Sequence, residues 1–170
     1  MVAAAIFLIF PLCLSVAALS DLFTMTIPNR ISLILVGAFV VLLPFLHLGP
    51  TEIGLHFAGA AIMFCACFAL FALNVMGGGD AKLLAASALW FGFNQSLLTF
   101  VVYVAYLGGL VTILILLMRS NTERIMAMGV RLPTSLTTAK KIPYGVAIGI
   151  GGFLAYPSSP LFLAALYPSP

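Results

Sequence analysis

Four acidic side chains occur in the 170 residues: Asp21, Glu52, Asp80 and Glu123. Asp21 and Asp80 stand at the edges of long apolar segments, and Asp80 directly follows Gly77, Gly78 and Gly79. A carboxylate beside hydrocarbon costs at least ~2.5–3.5 kcal/mol on insertion scales, so each is a candidate functional residue by default. Two carboxyl groups held close cannot both ionise cheaply and share a proton. The ionised one then serves as general base on a water. The protonated one polarises a scissile carbonyl and donates to the leaving amine. The chemistry in view is acid/base hydrolysis with no covalent intermediate, no cofactor and no metal.

Each residue also has a plainer reading. Asp21 opens the stretch Asp21-Leu22-Phe23-Thr24-Met25-Thr26-Ile27-Pro28-Asn29-Arg30. At the C-terminal end of a helix an acid opposes the macrodipole, so Asp21 is not a cap for its own segment. The bland alternative is an ordinary interfacial acid, with Ile27-Pro28-Asn29 a turn that resets the chain. Asp80, in Gly77-Gly78-Gly79-Asp80-Ala81-Lys82, suits an N-cap. A cap does not need three glycines. Glycines permit positive φ and close backbone approach, which suits a site receiving an extended peptide. A phosphate loop is not indicated, because no Gly-Lys-Ser/Thr follows. Lys82 either tunes the acid pair or meets substrate, or it snorkels as a topology anchor. A third stretch runs Lys140-Lys141-Ile142-Pro143-Tyr144-Gly145-Val146-Ala147-Ile148-Gly149. Pro143 is helix-entry chemistry, Tyr144 an interfacial aromatic, and Gly145, Gly149, Gly151 and Gly152 a small-residue face for close helix packing.

The elements that must carry these residues follow from composition. The chain is 64% hydrophobic and 6% charged, where a soluble domain carries about 25% charge. It reads as a polytopic all-α membrane protein forming one domain over residues 1–170, since the period-2 alternation of a β-barrel is missing. Cys13, Cys65 and Cys67 all fall in apolar runs and read as small hydrophobes in helix packing, with no disulfide or zinc spacing. Six apolar segments are expected, at about 2–20, 31–48, 53–75, 81–93, 96–118 and 143–156, the first kinked at Pro11 and retained rather than cleaved as a signal. Segment four is short for a crossing, so Asp80 at its start is expected below the membrane surface, in a protein-lined or watery cavity.

With six crossings, all seven Lys and Arg fall in the joins after segments one, three and five. The positive-inside rule makes that side cytoplasmic, puts both termini outside, and places Asp21 and Asp80 at the cytoplasmic boundary. The scattered cations are topology signals and no nucleic-acid partner is expected. The join 119–141, which holds Glu123 beside its basic residues, reads as a solvated loop.

Gly-Gly-Gly-Asp80 matches the Gly-x-Gly-Asp signature of intramembrane aspartyl proteases. Asp21 with Ile27-Pro28-Asn29, then Gly77–Lys82, then Lys141-Ile142-Pro143-Tyr144-Gly145, in this order, resembles the type IV prepilin leader peptidases. The resemblance implies an endopeptidase that removes the short basic leader of prepilins at the cytoplasmic face of the cell inner membrane, while the pilin stem stays in the bilayer. It implies Asp21 and Asp80 as the catalytic pair. Gly77, Gly78, Gly79, Lys82, Pro28, Asn29, Pro143, Tyr144 and Gly145 are then substrate-binding or site-shaping residues. The larger bifunctional members carry paired Cys-x-x-Cys zinc motifs and also methylate the new N-terminus. This sequence has no such motif and is similar to the short, peptidase-only type associated with Flp (Tad) pili. Archaeal preflagellin peptidases are close neighbours. From other classes, the same acids are compatible with a proton-coupled carrier or channel, or with a non-catalytic pilus or secretion assembly subunit. A carrier would show an inverted repeat and mid-membrane acids, and this chain shows neither.

Overall fold

The computed structural model describes residues 2–121 and 142–167. Every regular element among them is helical: α1 (Val2–Thr24), α2 (Asn29–Leu42) with a 3-10 turn at Leu43–Phe45, α3 (Pro50–Ala72), α4 (Gly78–Phe91), α5 (Gln95–Ser120), α6 (Tyr144–Ala155) with a 3-10 turn at Tyr156–Ser158, and α7 (Pro160–Leu166).

Helix α4 is the axis of the fold. Ala81, Leu83, Leu84, Ala86, Ser87, Ala88, Leu89, Trp90 and Phe91 are all buried. Its most extensive neighbour is α3, followed by α2, and α5, α6 and α7 also touch it. A helix apolar on every side belongs in an interior, and that explains its length. Fourteen residues rise ~21 Å, short of the ~30 Å hydrocarbon layer, because α4 is sheathed by protein and need not span lipid by itself. It ends at Gly92, whose φ of +72° only glycine adopts cheaply and whose bare Cα lies under the ring of His56. Asn94 then caps α5, its Oδ1 accepting the Ser96 N–H at 2.7 Å.

Three helices, α1, α3 and α5, are long and apolar enough to cross a membrane, and α6 with α7, bent by 51°, makes a fourth if the pair is one span. Length and hydropathy thus give three or four crossings among the described residues, fewer than the six expected. Asn29–Phe45 is apolar but shorter. Helix α1 is continuous through Pro11, and the Ser15 hydroxyl donates to the Pro11 carbonyl at 2.9 Å.

The core is aromatic. Phe10, Phe39, Trp90, Phe91, Phe100 and Tyr156 are buried together, and Phe91 stacks on Phe100 with centroids 4.6 Å apart. Both polar handles in this cluster are satisfied, since Trp90 Nε1–H donates to the Leu35 carbonyl at 3.1 Å and Tyr156 O–H to the Ile6 carbonyl at 2.8 Å. Helix α6 is wedged between α1 and α5 through its glycines. A Cβ at position 149 would fall 2.9 Å from the Ala18 Cβ of α1, and one at 151 would fall 3.0 Å from the Val104 nitrogen of α5. The expected small-residue face is therefore the contact surface of α6.

Candidate active site

The C-terminal ends of α1 and α3 and the N-terminal ends of α2, α4 and α6 meet at one end of the fold. The connector from α1 to α2 is shaped by its own hydroxyls. Helix α1 continues to Thr24, so Asp21 lies inside its last turn and not at its end. Met25 then takes a left-handed φ of 54°. The Ser20 hydroxyl donates to the Thr26 carbonyl at 2.8 Å, and the Thr24 hydroxyl bonds the Ser20 carbonyl at 2.7 Å. This tight return points Ile27 back under the helix ends. Pro28 occupies the cap position of α2 with φ −62° and ψ 130°, and its carbonyl accepts the Ile31 N–H at 3.0 Å.

Asp21 is 6% exposed, although it carries an ionisable carboxyl. Its Oδ2 accepts the backbone N–H of Gly145 at 2.6 Å, a bond between residues 124 positions apart. Helix α6 can approach this closely because position 145 has no side chain. A Cβ there would stand 2.8 Å from the Asp21 Cβ, 2.9 Å from Oδ2 and 3.0 Å from the Ile27 Cδ1. Pro143, fully buried, takes the cap position of α6 and delivers the next two residues to the site. The Tyr144 ring lies across the bare Cα of Gly108 on α5.

Asp80 occupies the third helical position of α4, and the cap position belongs to Gly77. The plainer alternative of an N-cap therefore does not describe Asp80, which sits in the first turn behind that position. The Asp80 Oδ2 folds back toward Gly77, where a Cβ would fall 2.7 Å from it. The glycines do not supply positive φ: Gly77 has φ −72°, and among the described residues Gly92 is the glycine in the left-handed region. Two of them are met by side chains of the chain itself. The Phe71 ring of α3 covers Gly78, with a Cβ there 3.2 Å from Cε2, and Ile27 covers Gly79, with a Cβ there 3.1 Å from its own Cβ. The triple glycine serves close approach by the chain's own neighbours. Asp80 also acts electrostatically on Tyr144 and on the buried Cys67 of α3.

Lys82 Nζ donates to Asn29 Oδ1 at 3.0 Å, which ties the first turn of α4 to the first turn of α2. The structure therefore brings Asp21, Gly145, Ile27 and Gly79 into one contiguous contact, sets Asp80 and Tyr144 beside it, and joins Lys82 to Asn29 on the outer side. Ile27 stands out in the sequence only as part of the Ile27-Pro28-Asn29 turn, with no role at the site. It touches both glycine positions and links the two acid-bearing segments. Phe71, Cys67 and Gly108 were equally unmarked for the site, and only the mid-helix Gly108-Gly109 pair carried a signal of close approach. Glu52 lies apart, accepting the Gly49 N–H at 2.8 Å as a cap of α3. Glu123 and the cations Arg124, Arg131, Lys140 and Lys141 lie outside the described residues, as does nearly all of the 119–141 join. Arg30, Lys82 and Arg119 all lie at the helix ends on the site's side.

The arrangement offers two carboxyl groups at the margin of an apolar helical assembly, one fixed by a backbone N–H and one on the first turn of the central helix. Carboxyl groups so placed divide a proton and activate a water where they come close to each other. No curated protein and no solved structure matches the chain. The family model of the type IV leader peptidases matches residues 8–119, a stretch that contains Asp21, Ile27 to Asn29 and Gly77 to Lys82, and the chain belongs to the type IV leader peptidase family.

Proposed function

We propose that this protein is an aspartic endopeptidase of the cell inner membrane that removes the basic leader from Flp-type (Tad) prepilins at the cytoplasmic face. One observation carries the reading. Three stretches distant in sequence, around Asp21, Asp80 and Gly145, meet at one end of the fold through the Gly145 N–H on Asp21 and the Ile27 contacts. The third stretch lies beyond the family match, so its arrival at Asp21 is independent support.

In this reading Asp21 and Asp80 hold one proton between them. The ionised carboxylate takes a proton from water as the water oxygen bonds to the scissile carbonyl carbon, and the protonated partner donates to the carbonyl oxygen. The newly protonated aspartate gives its proton to the leaving nitrogen as the C–N bond breaks, and a hydroxyl of the tetrahedral intermediate returns its proton to the other aspartate as the carboxylic acid product forms, so the pair again holds one proton. The Gly145 N–H holds the plane of the Asp21 carboxylate. Gly77 leaves room for the Asp80 carboxylate to fold back. Tyr144, Pro143 and Ile27 exclude water from the flank, and the Lys82–Asn29 bond keeps α4 and α2 in register.

The reading further takes α1 to α5, and α6 with α7, as six crossings of one domain with both termini outside. Support comes from Arg30, Lys82 and Arg119 sharing the site's end, which the positive-inside rule assigns to the cytoplasm. The three cysteines form no Cys-x-x-Cys pair, and hydrolysis is assigned here without methyl transfer. The partners are the prepilin and the bilayer that holds its apolar stem.

The test is co-expression with a leader-bearing Flp-type prepilin, followed by mass measurement of the pilin. Loss of the leader mass with no added methyl group is the expected result. An uncut pilin beside stably inserted protein refutes the reading, and a methylated product refutes the peptidase-only assignment.

A further inference from the structure

Helices α2 and α3 pack more extensively on α4 than on each other, where they meet through Phe39 with His56 and Phe57, and the gap beside that contact is a groove of about 600 Å³. Its floor is made of small residues of α4, Ala85 and Ala86, and its walls by Leu33 of α2 and Phe57 and Phe64 of α3. Leu33 is 72% exposed and Phe64 50%, so these walls open outward from the fold, where an apolar surface meets lipid and not water. The mouth is different in kind. Arg30, Lys82 and Asn29 line it, and among the described residues no acid lines the groove. Lys82 gives one N–H to Asn29, and an ammonium has three.

We propose that this groove holds an anionic phospholipid, its phosphate between Arg30 and Lys82 and an acyl chain along the alanine floor. Two features select this occupant. The paired cations complement a phosphate and repel a basic peptide, so the leader of a prepilin is not drawn into this mouth. The volume is also small for a helix, which at about 10–12 Å across and 1.5 Å rise fills such a space in roughly four residues. A thread-like chain with an anionic head fits both the shape and the sign. The lipid would brace α2 against α3 on the outer side of the Lys82–Asn29 bond. This inference stands whether or not the protein is a peptidase.

The test uses the full chain in nanodiscs of phosphatidylcholine with and without phosphatidylglycerol. Each lipid is supplied with a photoactivatable group on its acyl chain, and labelled peptides are mapped by mass spectrometry. Labelling of the α2 and α3 walls is expected, stronger from phosphatidylglycerol. Arg30→Gln, at an exposed position, should lower that labelling about fivefold, the weight of one basic side chain near anionic lipid. Ala85→Phe fills the floor and should abolish it. Should Ala85→Phe fail to fold, Arg30→Gln carries the test alone. Equal labelling by the two lipids, no response to Arg30→Gln, or labels confined to other faces would overturn the proposal. So would a photo-crosslinker at Leu33 that captures a prepilin stem and excludes lipid, since the groove would then belong to substrate.

Discussion

Alanine at position 145 tests how the carboxylate of Asp21 is held. The added methyl carbon would stand 2.8 Å from the Asp21 Cβ, 2.9 Å from its Oδ2 and 3.0 Å from the Ile27 Cδ1. Unstrained carbon contacts begin near ~3.5–4.0 Å, so Asp21 and Ile27 must retreat by about 0.7–1 Å or α6 must lift away. Either movement stretches the 2.6 Å bond from the Gly145 N–H. Overpacking of this kind costs about 1–3 kcal/mol. Displacing a reacting group by ~1 Å costs on the order of 100-fold in rate. Gly145→Ala should therefore fold, melt somewhat earlier in detergent, and cleave prepilin about 100-fold more slowly per folded molecule. Two controls separate packing from chemistry. Gly149→Ala, one turn further along α6, meets the Ala18 Cβ at 2.9 Å and the Leu14 carbonyl oxygen at 3.4 Å, and touches no carboxylate. It should lose similar stability and retain most of its rate. Gly109→Ala has nothing within 4 Å and should gain up to ~1 kcal/mol from helix propensity. Wild-type cleavage by Gly145→Ala, or an equal loss in Gly149→Ala, would refute the positioning argument.

Lys82→Met, Asn29→Ala and the double variant form a cycle on the 3.0 Å bond between α4 and α2. Both side chains are exposed, so a coupling of about 0.2–1 kcal/mol is expected in detergent melts, and additivity would show that the bond does not join the helices. Trp90→Phe and Tyr156→Phe each remove a buried side-chain bond to a helical carbonyl, that of Leu35 or of Ile6, and loss of that bond should cost about 0.5–1.5 kcal/mol. Their cleavage rates per folded molecule should stay near wild type, because both bonds lie in the core and touch neither acid. A rate collapse without a stability loss would contradict that separation.

Much of the site was legible because its residues are chemically out of place. An acid beside hydrocarbon, three glycines in a row, and a Pro-Tyr-Gly at a helix start each depart from what an apolar helix needs. The all-helical class followed from composition for the same reason. What stayed hidden was relational. Ile27 is an apolar residue in an apolar chain, and only its position between Gly79 and Gly145 gives it a role. The triple glycine pointed to close approach, but sequence could not tell an incoming substrate from Phe71 and Ile27. The plainer alternative for Asp80, a helix cap, falls to Gly77 three residues earlier, which the sequence could not show because the start of α4 carries no other signal. Helix α4 was the hardest element to read. Lipid tails are as apolar as leucine, so hydropathy alone does not distinguish a helix facing lipid from one enclosed by five others. The count of crossings suffers from that same degeneracy.

The central claim is that Asp21 and Asp80 work as a pair, and the most direct measurement is prepilin cleavage by Asp21→Asn and Asp80→Asn beside wild type and Glu52→Gln. An asparagine at 21 keeps the shape and can still accept the Gly145 N–H, so the fold should survive while the proton can no longer be shared. Glu52→Gln retains an acceptor for the Gly49 N–H at the far end of α3. The account predicts full processing by wild type and Glu52→Gln and none by either aspartate variant, all four being folded and inserted. Cleavage by either Asp21→Asn or Asp80→Asn would contradict it.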